Sequence, residues 1–297
     1  MSGPHGPHRP LAGIALVVGA SACFATLDTT TKAVSVAVPL LMALWFRYCF
    51  QAVATTLAVL PRRGMAVWRT RRLPWHVLRG LLLLTSSLLA FASLRYLPVG
   101  EFTAIVMITP LAITLLAATV LKEPVSGLRW ALVAGGFAGT LIIIRPGAGS
   151  FGWAGLLPIA LVASNAWFQV LTSRLARTED PVTMHLYTGW TGTLVASLAL
   201  PFVWTTDFAP AWWAGLCLMG LAGSVGHFML IMAYYRAPAA TLTPYLYSQI
   251  GFAMLGGWIV FTHVPDALSL AGIALIAACG AAGAWLTVRE QRAAATA

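Results

Sequence analysis

Of the 297 residues, 59% are apolar and only 9% carry charge, against roughly a quarter charged in soluble globular domains. That composition excludes a soluble fold of this size, and ten stretches of about 20 apolar residues, each long enough to span a bilayer, consume nearly the whole chain. The net charge of +10 does not mark a nucleic-acid surface either, because the basic residues sit in short gaps between apolar runs, as topology determinants do.

In chain order, residues 1–10 form a short Pro- and His-rich tail, read as disordered and cytoplasmic, with no metal assigned to His5 and His8. The apolar run that follows is too long for a signal peptide and lacks a small-residue cleavage site, so it is read as a first span. Ten spans are expected near 11–34, 39–61, 76–96, 99–121, 127–145, 153–174, 183–204, 211–236, 240–262 and 267–288, followed by a tail at 289–297. Most connections are short turns marked by Pro or Gly. Of the 18 Lys and Arg residues, Arg47 lies inside a span, Lys32, Arg95 and Arg145 flank one side, and the remaining fourteen, Arg79 among them, flank the other. That bias puts both termini in the cytoplasm.

Shifting the chain by about 140 residues superimposes similar features. Ser21 to Ala33 falls on Ser164 to Ala176, Leu60-Pro61 on Leu200-Pro201, Pro98 on Pro238, and Lys122-Glu123-Pro124 on Thr262 to Pro265 with one residue of slippage. Two repeats are therefore expected, at 11–147 and 148–288. Five spans per repeat is an odd number, so the halves insert in opposite orientations, a plan that places a substrate site between them near mid-membrane.

A charged side chain inside a span costs about 2.5–3.5 kcal/mol at the bilayer centre on insertion scales, so it faces a cavity or a partner. Asp28, followed by Thr29, Thr30 and Thr31, lies in the outer half of the first span; Arg47 lies about two turns into the second, and Glu101 opens the fourth. An ion pair that locks helices and a gate or zwitterion site are both open for these three. The candidate cargo contacts are Asn165 and Gln169, one helical turn apart, together with Trp167, Tyr245, Ser248 and Gln249. Pro110, Pro158 and Pro244 are expected to interrupt the fourth, sixth and ninth spans, freeing backbone carbonyls for a ligand or merely kinking the helices for packing. His185 and His227 are candidate proton carriers, with a histidine bonded to a backbone carbonyl as the alternative. Gly135-x-x-x-Gly139 suits close helix packing inside the molecule. Cys23, Cys49, Cys217 and Cys279 lie singly in apolar runs and read as packing residues. There is no HExxH, GxSxG, P-loop or carboxylate cluster, so no catalytic residue, metal or cofactor is expected.

The run Leu94-Arg95-Tyr96-Leu97-Pro98-Val99-Gly100-Glu101, the interrupted span through Thr109-Pro110, Leu121-Lys122-Glu123-Pro124 and the glycine-rich helix ending in Ile144-Arg145-Pro146-Gly147 resemble the EamA repeat of the drug/metabolite transporter superfamily. The second half, through Tyr235-Arg236-Ala237-Pro238 and Thr262-His263-Val264-Pro265, is similar to a diverged copy and departs at His263, where the first copy has Glu123. The resemblance implies an all-α basket of ten transmembrane helices, two inverted five-helix repeats around a central cavity. The first, third, fourth, sixth, eighth and ninth spans would line it, and the fifth and tenth would support it.

Together these features predict a secondary transporter that exports aromatic and other neutral amino acids, or related small metabolites, across a bacterial inner membrane by alternating access. Amino acids come first because Asn165, Gln169, Gln249 and the aromatic residues offer mixed polar and apolar contact without a dense charge of one sign. An uptake carrier for a larger metabolite such as S-adenosylmethionine, or a drug- or nucleoside-like exporter, is the alternative. The expected partners are the small-molecule cargo and the lipid bilayer, with the protein a monomer or weak dimer.

Overall fold

The computed structural model describes residues 9–96, 105–144, 155–262 and 266–296, and these are all helix, turn or loop, with no strand among them. Among the described residues ten longer helices follow one another: α1 Pro10–Val34, α2 Leu40–Arg63, α3 Leu73–Tyr96, α4 Thr109–Thr119, α5 Gly127–Ile144, α6 Leu156–Ala176, α7 Pro181–Ser197, α8 Ala211–Arg236, α9 Ser248–Phe261 and α10 Ala267–Thr296. Among the described residues six of them, α1, α2, α3, α6, α8 and α10, are long and apolar enough to cross a membrane, and α4 and α5 are shorter apolar helices. Helix is the physical answer to such runs, because a bilayer offers backbone N–H and C=O groups no partner outside the segment itself.

Helix ends follow the local chemistry. Asp180 caps α7, its carboxylate accepting from the backbone N–H groups of Val182 at 2.7 Å and Thr183 at 3.2 Å, and Pro181 occupies the first turn, where its missing N–H costs nothing. The expected ninth span is broken. A single turn at Ala239–Leu242 passes into a 3-10 segment, Thr243–Tyr247, which contains Pro244, and only then does α9 begin. Pro110 sits in the first turn of α4 and marks a comparable break. Pro158, expected to interrupt a span, falls instead in the first turn of α6, a position that needs no backbone donor. The segment expected as a C-terminal tail continues α10 through Thr296. Among the described residues only two non-glycine residues have positive φ, Lys122 at 55° and Thr262 at 56°. Thr262 is the C-cap of α9, Lys122 lies three residues past the end of α4, and the 140-residue shift aligns them.

Packing pairs the helices in a regular way. α1 lies along α8, and α3 along α6; α1 meets α9, and α4 meets α6; α2 meets α8, and α3 meets α7. α2 also packs on α7, and α5 on α10. In the last pair the backbones touch: a Cβ on Gly272 would lie 2.6 Å from the carbonyl oxygen of Gly139, and one on Gly139 would lie 2.9 Å from that of Gly272. Neither backbone oxygen can rotate away. Gly272→Leu is therefore expected to destabilise the protein by about 2–3 kcal/mol, the cost of overpacking a close helix contact, read as a lowered unfolding temperature in detergent, whereas Gly127→Ala, where nothing lies within 4 Å, should leave it unchanged.

The largest buried cluster gathers Ile14 and Val17 of α1, Ile113 and Ala117 of α4, Leu171 and Leu175 of α6, Leu230 and Tyr234 of α8, and Leu242. These positions share one end of the bundle, the end that holds the start of α1. At the opposite end a second cluster joins only α1, α2 and α8 through Leu27, Val34, Met42 and Leu216.

Candidate functional site

The stripe Ile14, Val17, Ser21, Phe24 and Asp28 runs along one face of α1 at helical spacing. Its first three residues are buried, whereas Asp28 is not covered by its neighbours to the same degree. The break before α9 brings Gln249 opposite, and its amide donates to Asp28 Oδ2 at 2.8 Å. This contact joins the two halves of the chain.

Two further polar groups flank it. On α6, Gln169 donates to Asn165 Oδ1 at 2.7 Å, one turn away, and accepts from the Tyr234 hydroxyl of α8 at 2.6 Å. Arg47 of α2, 9% exposed, reaches Ser87 Oγ of α3 at 3.4 Å and His227 Nε2 of α8 at 3.3 Å. A guanidinium only donates, so His227 accepts through Nε2, which leaves any ring proton on Nδ1. Phe24, one turn before Asp28, has its ring 4.8 Å from that of His227, and Phe168, beside Gln169, packs edge-on to the same imidazole at 5.9 Å. The three polar groups thus surround one aromatic–imidazole stack made by α1, α6 and α8.

Several sequence-based expectations are revised by this geometry. Asp28 and Arg47 do not pair; Asp28 takes Gln249 and Arg47 takes Ser87 and His227. Glu101 lies outside the described residues. Trp167 is 47% exposed and two residues from Asn165, hence on the far side of α6 from the amide pair. Tyr245 and Ser248 line an apolar groove of about 720 Å³ between α1, α9 and α10 rather than the face of Gln249. Tyr245 points at α10, where a Cβ on Gly283 would meet its hydroxyl at 3.0 Å.

Two participants, Arg79 and Gln51, escaped the reading of the sequence. Arg79 counts as a flanking charge by position, yet it is fully buried, donating to Thr172 Oγ1 at 2.7 Å, to the carbonyl of Met184 at 2.9 Å and to Thr188, with Phe168 stacked 5.0 Å from its guanidinium. Gln51 of α2 and His185 of α7 meet through Gln51 Nε2, which lies 3.3 Å from the imidazole Nδ1 and donates to the His185 carbonyl at 3.0 Å; Ser224 lies 3.0 Å from the other ring nitrogen. The signal for Arg79 was its place nearly two turns inside α3, followed at once by an apolar run.

A bundle of apolar helices, with polar groups from both halves converging on its interior face, defines a multi-pass membrane carrier. The comparisons specify which kind. The EamA-like transporter family matches over residues 11–145, and a riboflavin transporter of Rhizobium johnstonii is 32% identical over 91% of this chain and 90% of its own length. The chain belongs to the EamA-like transporter family. It is also similar, at 27% identity over 78% of this chain and 79% of the other, to an S-adenosylmethionine uptake transporter of Rickettsia bellii. A solved crystal structure shares the fold with a TM-score of 0.79 at 20% identity, covering 95% of this chain and 99% of that one.

Proposed function

We propose that this protein is a secondary carrier that moves a small polar organic metabolite across a bacterial inner membrane by alternating access, with ten spans in two inverted repeats, 11–147 and 148–288. The paired packing supports the repeats. Exchanging α1–α5 with α6–α10 turns the α1–α8 contact into α6–α3, α1–α9 into α6–α4, and α2–α8 into α7–α3, and leaves α2–α7 and α5–α10 unchanged. The left-handed residues Lys122 and Thr262 obey the same exchange. The basic-residue bias puts the start of α1, and with it the large buried cluster, at the cytoplasmic face. The mouth shut by that cluster is then the cytoplasmic one.

The observation that carries the reading is the Asp28–Gln249 contact, a polar pair between the halves, beside the Phe24–His227–Phe168 stack. Riboflavin leads as cargo: a planar apolar ring system bearing an imide edge and hydroxyls matches aromatic faces flanked by neutral amides, and a relative of one-third identity carries that name. A second reading rests on a separate observation. Asp28 and Arg47 carry opposite charges and have no ion-pair partner among the described residues, which suits the zwitterionic head of an amino acid or of S-adenosylmethionine.

Counterflow in proteoliposomes discriminates between them. Vesicles loaded with unlabelled riboflavin, S-adenosylmethionine or a neutral amino acid are expected to accumulate labelled riboflavin only when riboflavin is inside. Accumulation of a labelled amino acid instead would replace the cargo, and accumulation of none by folded protein would sink the panel.

A further inference from the structure

We infer that Glu123 is the latch of the cytoplasmic gate, holding the carrier open to the outside until it is released; the side assignment rests on the topology proposed above. Glu123 sits between α4 and α5 in the first half, and both of its bonding partners lie in the second. Its Oε1 accepts from Arg177, the residue that ends α6, and its Oε2 accepts from the backbone N–H of Ala240 at 3.0 Å. Ala240 is in the first turn of Ala239–Leu242, the start of the broken ninth segment. One carboxylate therefore ties the mouths of α4, α6 and the ninth segment together.

The surroundings fit a latch rather than an ordinary surface pair. The Glu123 side chain is 6% exposed and the Arg177 side chain 45%, so the carboxylate is held inside while its cation reaches the surface. Immediately inward lies the buried cluster of Ile14, Ala117, Leu175, Tyr234 and Leu242, which shuts that end of the bundle. Beside the latch is a crevice of about 580 Å³ whose lining includes Glu123, Arg129, Thr241 and Glu290 among prolines and other apolar residues. It gives water access to the bonds that must break when the mouth opens. Glu123 is placed by the left-handed turn at Lys122, and its own N–H donates to the carbonyl of Ala117 at 3.0 Å. With the carboxylate holding this mouth shut, the resting population is biased toward the outward-open state.

The test reads gate opening without cargo. In a chain carrying C23A, C49A, C217A and C279A, a reporter cysteine replaces Ala117, which is fully buried in the plug, and a second protein carries Gln249→Cys on the outward face. Both are treated with a membrane-impermeant charged thiol reagent, from the cytoplasmic side for Ala117→Cys and from the external side for Gln249→Cys. E123Q is expected to speed labelling at Ala117→Cys about tenfold and to slow labelling at Gln249→Cys, the shift that follows from losing a charge-assisted hydrogen bond. R177Q, which leaves the Ala240 bond, should move both rates in the same directions by less. Unchanged rates in both variants would overturn the proposal, as would acceleration at both reporters together, which is loosening of the fold rather than exchange of gates. Failure of the riboflavin assignment would leave these rates untouched.

Discussion

Arg79→Ala is expected to lower the stability of the protein by about 3 kcal/mol, whereas Arg79→Met should cost less than about 1 kcal/mol. The contrast comes from two terms of opposite sign. Removing the side chain to Ala empties a fully buried space between α3, α6 and α7, and cavities left by residues of this length cost about 2–5 kcal/mol. The polar loss is smaller than the number of bonds suggests. Thr172 still donates to the carbonyl of Phe168 at 2.7 Å and Thr188 to that of Met184 at 2.9 Å, so neither hydroxyl is orphaned. A buried guanidinium also carries a desolvation penalty that an apolar chain of similar length does not, and such replacements are often neutral. Thermal unfolding in detergent, followed by intrinsic tryptophan fluorescence, measures both variants. Equal losses for Ala and Met would mean that the bonds, not the volume, hold α3 to α6 and α7.

The spans were legible in the sequence because hydropathy and proline punctuation are local properties. The expected span at 211–236 coincides with α8 Ala211–Arg236, and the start of the last span with α10 at Ala267. The proposed repeat rests on a related property: turns such as Lys122-Glu123-Pro124 and Thr262 to Pro265 can be aligned by their punctuation where apolar helix surfaces cannot. What could not be read is the direction in which each side chain points once helices pack. Trp167 and Gln169 are two residues apart in sequence and on opposite sides of α6. Asp28 and Arg47 have opposite charges at similar depth, but α8 presents His227 to Arg47, and the broken ninth segment presents Gln249 to Asp28. Arg79 was misplaced because a basic residue near a span end is ordinarily a solvated flank, and nothing local reveals that Thr172 and Thr188, about 100 residues away, turn toward it.

The Asp28–Gln249 contact yields the most discriminating functional result, because its two members can be altered separately. Asp28→Asn keeps an oxygen that accepts from Gln249 Nε2 and removes only the charge. Gln249→Ala keeps the charge and removes the bond between halves. If riboflavin is carried, the cargo is uncharged, so Asp28→Asn is expected to leave the KM of uptake into proteoliposomes within about twofold. Gln249→Ala should raise that KM about tenfold by deleting an amide that meets the polar edge of the ring, the value of roughly one neutral hydrogen bond. If the cargo carries an ammonium and a carboxylate, the order reverses. Asp28→Asn then costs about tenfold by removing the ammonium's counter-charge, and Arg47→Gln costs a similar factor at the other end. The two patterns of KM require no shared magnitude to be told apart. A third pattern, with KM unchanged in all three variants and only the maximal rate lowered, would mean that these residues act in the conformational change and that the cargo binds elsewhere along the α6–α8 face, where Asn165, Gln169 and Tyr234 form the next polar group.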